Sequence, residues 1–167
     1  TEATVSTLKS EGYDAIVFAV GTKPSCPPIP GIDKVKTVQA TDLLANPELL
    51  GDAKNIVVAG GGVVGCETAY WLNYEKGRTV SVVEMLPNFM QGACTANRGH
   101  LLYYMKKAGM KLFNCAKISS FAPGKVNLTK NVSDGVPNPY NTWQPLLPEN
   151  IENPLAKKLG DETVAFS

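Results

Sequence analysis

Short apolar runs alternate with segments of helical periodicity along the first two thirds of the chain. Two of these runs, Asn55–Ala59 and Thr79–Val83, are rich in β-branched residues and have few polar positions. Strands buried on both faces of a parallel sheet show this pattern. Because the segment between them has helical periodicity, the pattern predicts an α/β fold, a Rossmann-type parallel sheet flanked by helices.

Two segments are predicted to be helices. The first, Val63–Tyr74, lies between the two strands and ends before Gly77. Its predicted inward residues are Val64, Ala69 and Leu72. The second, Asn97–Lys107, has apolar residues at helical spacing at Leu101, Leu102 and Met105. For Arg98 in this second helix, a place near the cofactor loop is one alternative, and a solvated charge on the helix is the one we expect.

The flanking segments are more varied. Tyr13–Val20 is nearly continuously apolar and predicts another buried strand. Lys23–Ile32 contains four prolines, so it is predicted to be an extended linker running over a surface. Beyond it, Thr41 or Asp42 is expected to cap a short helix that is interrupted at Pro47.

The last third predicts a small antiparallel meander over Lys111–Thr129, with a turn at Pro123-Gly124. Asn131–Pro154 is rich in proline and asparagine and is expected to be irregular. Thr163–Ser167 is expected to begin a further strand. We therefore divide the chain into a first strand with its linker, a central domain that contains the predicted parallel strands, and a final segment. Their ranges are 1–34, 35–130 and 131–167.

Composition and charge exclude several classes of protein. Hydrophobic residues make up 44% and charged residues 19% of the chain, which indicates a packed fold. The formal net charge of +1 gives no electrostatic reason to expect nucleic acid or a membrane surface as a partner. The polar N-terminal residues do not form a signal peptide, and the four cysteines form no C-x-x-C pair. These features predict a cytoplasmic protein without a metal site.

A glycine turn carries the chemistry. Gly60-x-Gly62-x-x-Gly65 follows a predicted strand and opens a predicted helix. In such a turn the first glycine allows the bend, the second lets a pyrophosphate approach the backbone, and the third lets the helix pack closely on the strands. The amides and dipole of the helix N-terminus then hold the phosphates.

An acidic residue stands where such a site needs one. Glu84 follows the second strand, about 20 residues beyond Gly65, where a carboxylate accepts hydrogen bonds from the ribose hydroxyls. Its charge would repel a 2′-phosphate, so NADH is favoured over NADPH. Glu67 either supports the glycine loop or is a solvated residue near the helix N-terminus. The predicted cofactor-binding residues are Gly60, Gly61, Gly62, Val63, Val64, Gly65, Glu67 and Glu84.

FAD sites and NAD sites share this glycine pattern. Here a strand and a proline-rich linker precede the turn, which favours NAD(H) because the first such unit of a flavoenzyme usually binds FAD. An FAD-binding domain and a non-catalytic adenine-nucleotide-binding module remain alternatives. Hydride transfer between two cofactors needs no protein acid or base, so no catalytic residue is predicted.

The motifs together resemble the pyridine nucleotide-disulfide oxidoreductase superfamily. Tyr13–Asp33 is similar to the strand and linker that lead from the FAD domain of that superfamily into its NAD domain. Asn55–Leu72, together with Glu84, is similar to the NAD-binding fingerprint of the superfamily. Asn138–Glu162 resembles a narrower group, the 2-enoate reductases and NADH:flavin oxidoreductases of the old yellow enzyme type.

This narrower resemblance implies a larger enzyme. It implies an FMN barrel that reduces an activated C=C bond, an iron–sulfur cluster, and FAD and NAD domains that collect hydride from NADH. The partners implied are a dinucleotide and the remaining flavin domains. The chain departs from the family at Ala19-Val20-Gly21, where Ala-Thr-Gly is common, and it lacks the paired redox cysteines of the disulfide reductases.

Overall fold

The computed structural model describes residues 2–134 and 157–166. Within these ranges the helices are α1 Val5–Ser10, α2 Ala40–Ala45, α3 Val63–Tyr74 and α4 Thr95–Lys107, with 3-10 turns at Ile32–Lys34 and Pro47–Leu50. The strands are β1 Asn55–Ala59, β2 Thr79–Val83, β3 Lys111–Phe113, β4 Ala116–Ala122, β5 Lys125–Asp134 and β6 Lys157–Phe166.

A parallel sheet of order β1-β2-β3 forms the centre of the fold. The predicted bounds of β1, β2 and α3 are confirmed residue for residue, and α4 begins two residues before the predicted Asn97. The inclusion of Lys111–Phe113 in an antiparallel meander is wrong, because this strand pairs in parallel with β2. The helix α4 between them supplies the crossover that parallel pairing requires.

Each face of the parallel sheet is covered by a different layer. Val80 and Val82 of β2 pack under α3 and α4, in a core that includes Leu72 and Met105. On the opposite face, residues of the sheet pack against the second sheet. That second core contains Val83, Ala116, Ile118 and Leu128. Because both faces are covered, four of the five residues of β2 are buried, as is typical of a parallel strand.

The second sheet is antiparallel, with order β4-β5-β6. Its first turn lies at Pro123-Gly124, as predicted. The predicted irregular region was placed too early, because β5 continues to Asp134 and pairs there with the start of β6. The predicted final strand is confirmed within β6, which begins earlier, at Lys157. Residues 135–156, which include most of the segment resembling the enoate reductases, lie outside the described residues.

Two predictions for the flanking segments are wrong. Tyr13–Val20 forms no strand, and none of the strands in the described residues pairs with it. Its side chains are exposed, with Val17 at 89%. An apolar run becomes a buried strand only where a sheet accepts its backbone and side chains. The cap of α2 is Gln39, so Thr41 and Asp42 lie inside the helix.

The proline-rich linker forms no helix or strand before the 3-10 turn at Ile32, and its end is fixed to the second sheet. The Phe121 N–H donates to the Pro30 carbonyl oxygen over 2.8 Å, and Ile29 packs on the second core. Gly31 has a φ of +80°, and a Cβ there would collide with the Phe121 carbonyl oxygen. A glycine is therefore required where the linker meets β4.

Candidate functional site

The chain leaves β1 through a turn that needs glycine. Gly60 has a φ of +104°, in the range that L side chains rarely adopt, and its N–H donates to the Val83 carbonyl oxygen over 2.8 Å. A Cβ on Gly65 would collide with the Gly60 carbonyl oxygen. The turn and the first turn of α3 therefore pack as closely as the sequence pattern predicts.

The N-terminus of α3 faces open space. Gly62 is its N-cap and makes no side-chain cap, and a Cβ built on Gly62 would meet no atom within 4 Å. The first backbone bond of the helix runs from the Cys66 N–H to the Gly62 carbonyl oxygen at 3.0 Å, so the N–H groups of Val63 and Val64 have no acceptor within the helix. Uncapped amides beside open space are the donor set that a phosphate group requires.

Glu84 lies beside this turn with its carboxylate directed at it. The Gly61 N–H donates to Oε2 over 2.7 Å, and the Leu86 N–H donates to Oε1 over 2.7 Å. Glu84 is only 8% exposed. Each carboxylate oxygen accepts more than one hydrogen bond, so both retain capacity for a hydroxyl donor. The structure thus brings Glu84 and the glycine turn together, as the sequence predicts.

Gly61 has a different surrounding from its two neighbours. Its carbonyl oxygen accepts the Met90 N–H at 2.7 Å and the Cys66 thiol at 3.3 Å. A Cβ on Gly61 would lie 2.8 Å from the Glu84 Cβ and 2.7 Å from the Phe89 Cε1. Gly61 is therefore required for packing within the protein, whereas the space beside Gly62 is open.

Cys66 is wholly buried beneath this turn. Burial, followed by the charges of Glu84 and Glu67, raises the pKa of its thiol from 9.0 to about 12. The thiol therefore keeps its proton and donates a hydrogen bond to the Gly61 carbonyl oxygen. This hydrogen bond links the first part of α3 to the glycine turn.

One predicted position on α3 lies elsewhere than expected, and the structure favours one of the two alternatives for another. Val64 was predicted to face inward but is 54% exposed, because the first turn of α3 lies at the glycine turn, beyond the end of β1. Glu67 is exposed, and its carboxylate makes no hydrogen bond with a described residue, which favours the solvated alternative. Ala69 and Leu72 are buried, as predicted.

Sequence reasoning missed one residue near the site and expected the wrong surroundings for another. Phe89 lies between β2 and α4, and the only indication of its burial was its apolar character. Arg98 is 1% exposed, so its prediction as a solvated charge is wrong. It lies on one helical stripe with Leu102 and Met105, and this spacing indicates burial. Arg98 and Phe89 both line a cavity of about 150 Å³.

Some other features are absent from the part of the chain that the structure describes. None of its helices has both the length and the apolar character needed to cross a membrane. The same residues hold no group of three or more His, Cys, Asp or Glu side chains placed to bind a metal ion.

The parallel sheet, the glycine turn and the uncapped helix define a Rossmann-type α/β protein. A family model described as pyridine nucleotide-disulphide oxidoreductase matches residues 1–138. The chain therefore belongs to the pyridine nucleotide-disulphide oxidoreductase family.

The chain is similar to parts of larger oxidoreductases. It is 36% identical over 110 residues to an NADH oxidase of Thermoanaerobacter brockii, covering 65% of the chain and 17% of that protein. It is 36% identical over 107 residues to a cinnamate reductase of Clostridium sporogenes, covering 62% of the chain and 15% of that protein. The chain thus spans about a sixth of the length of these two relatives.

The fold is similar to part of a solved reductase. A 2-naphthoyl-CoA reductase in complex with 2-naphthoyl-CoA matches with a TM-score of 0.61 and 28% identity. The match covers 78% of this chain and 19% of that one. The same Rossmann-type arrangement therefore occurs within a much longer reductase.

Proposed function

We propose that this chain is the NADH-binding region of a multidomain flavin-dependent oxidoreductase. The observation that carries the proposal is the pairing of two features at one edge of the sheet: the open, uncapped N-terminus of α3 at Gly62 and the carboxylate of Glu84. A dinucleotide carries a diphosphate next to a ribose, and these two features are complementary to those two groups.

Every predicted cofactor-binding residue except Glu67 has a role in this proposal. The amides of Gly62, Val63 and Val64 bind the pyrophosphate, while Gly60 and Gly65 give the turn its shape. Glu84 accepts the hydroxyls of the adenosine ribose. Gly61 belongs to the site through its hydrogen bond to Glu84, and Glu67 is left outside it.

The carboxylate also sets the cofactor preference. A 2′-phosphate beside the buried Glu84 would place two negative charges together in surroundings with little water. The protein therefore favours NADH over NADPH. When bound, NADH supplies a hydride to a flavin, and the residues of this chain provide position and electrostatics.

We further propose that the flavin is an FAD held by a neighbouring domain, and that the electrons reduce an activated C=C bond elsewhere in the enzyme. FMN and an iron–sulfur cluster would serve that reduction outside this chain. The similarity to a cinnamate reductase and to a 2-naphthoyl-CoA reductase supports this direction. In this proposal residues 35–130 form the NAD(H)-binding domain, residues 1–34 come from the FAD domain, and residues 131–167 return toward it.

Calorimetric titration of the chain with NADH and with NADPH tests the proposal. We expect NADH to bind more tightly, and Glu84→Ala to weaken NADH by about 1–3 kcal/mol because ribose hydroxyls lose their acceptor. Tighter binding of NADPH would overturn the role of Glu84. If the purified chain shows the visible absorption of a bound flavin, it is instead an FAD-binding domain. If it binds adenine nucleotides but the parent enzyme shows no flavin reduction by NADH, it is a non-catalytic module.

A further inference from the structure

The side chain of Phe89 lies at the junction between the glycine turn and Glu84. It is 9% exposed and belongs to the main hydrophobic core. A Cβ built on Gly61 would lie 2.7 Å from the Phe89 Cε1 and 2.8 Å from the Glu84 Cβ. The ring, the turn and the stem of the carboxylate therefore meet at one point.

Hydrogen bonds at both ends hold the segment that carries this ring. At one end, the Leu86 N–H donates to the Glu84 Oε1 over 2.7 Å. At the other, the Met90 N–H donates to the Gly61 carbonyl oxygen over 2.7 Å, and Met90 has a φ of +52°, which is uncommon for a residue with a side chain. The segment, the turn and Glu84 are thus coupled, and Phe89 packs in the space between them.

The ring packs closely over Gly61, with no room for a Cβ between them. Phe89 also lines the cavity of about 150 Å³ that it shares with Arg98, so it is not tightly enclosed on every side. Removing the ring would extend this cavity as far as Gly61. The Glu84 side chain would then lose an apolar neighbour and gain access to water, which competes for its carboxylate.

We propose that Phe89 is a positioning residue of the dinucleotide site: its ring holds Glu84 at a fixed place relative to the N-terminal amides of α3. The ribose hydroxyls and the pyrophosphate are joined by a short linkage, so their two binding groups must keep a fixed spacing to be used together. This inference rests on the proposed NADH site and adds a residue to it.

Phe89→Ala and Phe89→Leu test the inference, with Phe121→Ala as the matched control. Phe121 is a half-buried phenylalanine that packs on the second core, away from the turn. We expect Phe89→Ala to weaken both NADH and ADP about tenfold in calorimetric titration, as coupled neighbouring residues do, and Phe89→Leu to weaken them less. Phe121→Ala is expected to lower stability and to leave both dissociation constants within about twofold.

A double-mutant cycle with Glu84→Gln separates positioning from general destabilisation. If Phe89 acts through Glu84, Phe89→Ala has little further effect on NADH affinity in the Glu84→Gln background. Equal effects in both backgrounds would overturn the inference. So would unchanged NADH affinity in folded Phe89→Ala, or in Phe89→Leu should the alanine variant fail to fold.

The same experiment distinguishes this inference from the proposed function. If Glu84→Gln alone leaves NADH affinity unchanged, the proposed role of Glu84 fails and the inference fails with it. If Glu84→Gln weakens NADH while neither Phe89 variant does, the proposed function stands and only the role of Phe89 is lost.

Discussion

The Gly61 N–H donates to the Glu84 carboxylate over 2.7 Å, which ties the glycine turn to the end of β2. Through this bond Glu84 helps to shape the turn within the protein itself. A Glu84 variant therefore changes the stability of the protein as well as its affinity for a dinucleotide. The two effects must be measured separately.

We predict that Glu84→Ala lowers the free energy of unfolding of the ligand-free chain by about 1–3 kcal/mol, because two backbone N–H groups at a buried site lose their acceptor. Urea unfolding measures this change. The control is Glu67→Ala, an exposed carboxylate on α3, which is expected to change stability by no more than about 0.5 kcal/mol. Equal stability of the Glu84 and Glu67 variants would show that these two bonds do not hold the turn.

Gly62→Ala is predicted to leave the fold intact and to weaken NADH. Its φ is −67°, which any residue adopts, and a Cβ there meets no atom of the protein within 4 Å. A methyl group at this position would instead occupy the space proposed for the pyrophosphate. Calorimetry should show at least about tenfold weaker binding at nearly unchanged melting temperature. Unchanged NADH affinity would place the pyrophosphate elsewhere.

Gly65→Ala, unlike Gly62→Ala, is predicted to lower the stability of the fold. Its Cβ would collide with the Gly60 carbonyl oxygen, so α3 must move away from the turn. Overpacking of this kind costs about 1–3 kcal/mol of stability. Thermal unfolding without ligand measures it, and a melting temperature equal to that of Gly62→Ala would contradict the close packing described for this helix.

Gly31→Ala is predicted to release the end of the proline-rich linker from the second sheet. Gly31 has a φ of +80° and no room for a Cβ beside the Phe121 carbonyl oxygen. The control is Gly21→Ala, which has a similar φ of +77° but no atom within 4 Å of its Cβ. Limited proteolysis should cleave the linker faster in Gly31→Ala than in Gly21→Ala, and equal rates would indicate that the linker is not anchored at this point.

The central part of the fold was predictable because local patterns determine it. The apolar runs of β1 and β2 and the periodicity of α3 each lie within a dozen residues, and these three elements have the predicted bounds. Tyr13–Val20 has a similar composition but forms no strand. A strand depends on a partner distant in sequence, and composition alone does not supply one.

Part of the candidate site could likewise be predicted from local sequence patterns, and part could not. The glycine spacing and the distance to Glu84 are properties of the sequence, and the structure places them together. The contact of Phe89 with Gly61 depends on how the segment after β2 folds back over the turn. No periodicity describes such a segment, so the role of Phe89 could be found only from the tertiary structure.

Cysteine alkylation is predicted to distinguish Cys66 from the exposed Cys26 and Cys94. Thiolates react and thiols do not, and Cys66 is both buried and protonated because its pKa is raised to about 12. Iodoacetamide at neutral pH, followed by peptide mass spectrometry, should label the two exposed cysteines and leave Cys66 unmodified until the chain unfolds. Labelling of Cys66 at the rate of Cys94 would contradict its burial under the turn.

The same pKa predicts how Cys66 changes stability with pH. The thiol has a pKa of 9.0 in the unfolded chain and about 12 in the folded one, so between these values only the unfolded state releases the proton. Unfolding then becomes more favourable as pH rises, and the stabilising contribution is complete below pH 9. The free energy of unfolding should therefore fall more steeply with pH in the native chain than in Cys66→Ala, which lacks the titrating group. Parallel curves for the two proteins in this window would show that the thiol ionises as easily in the folded chain as in the unfolded one.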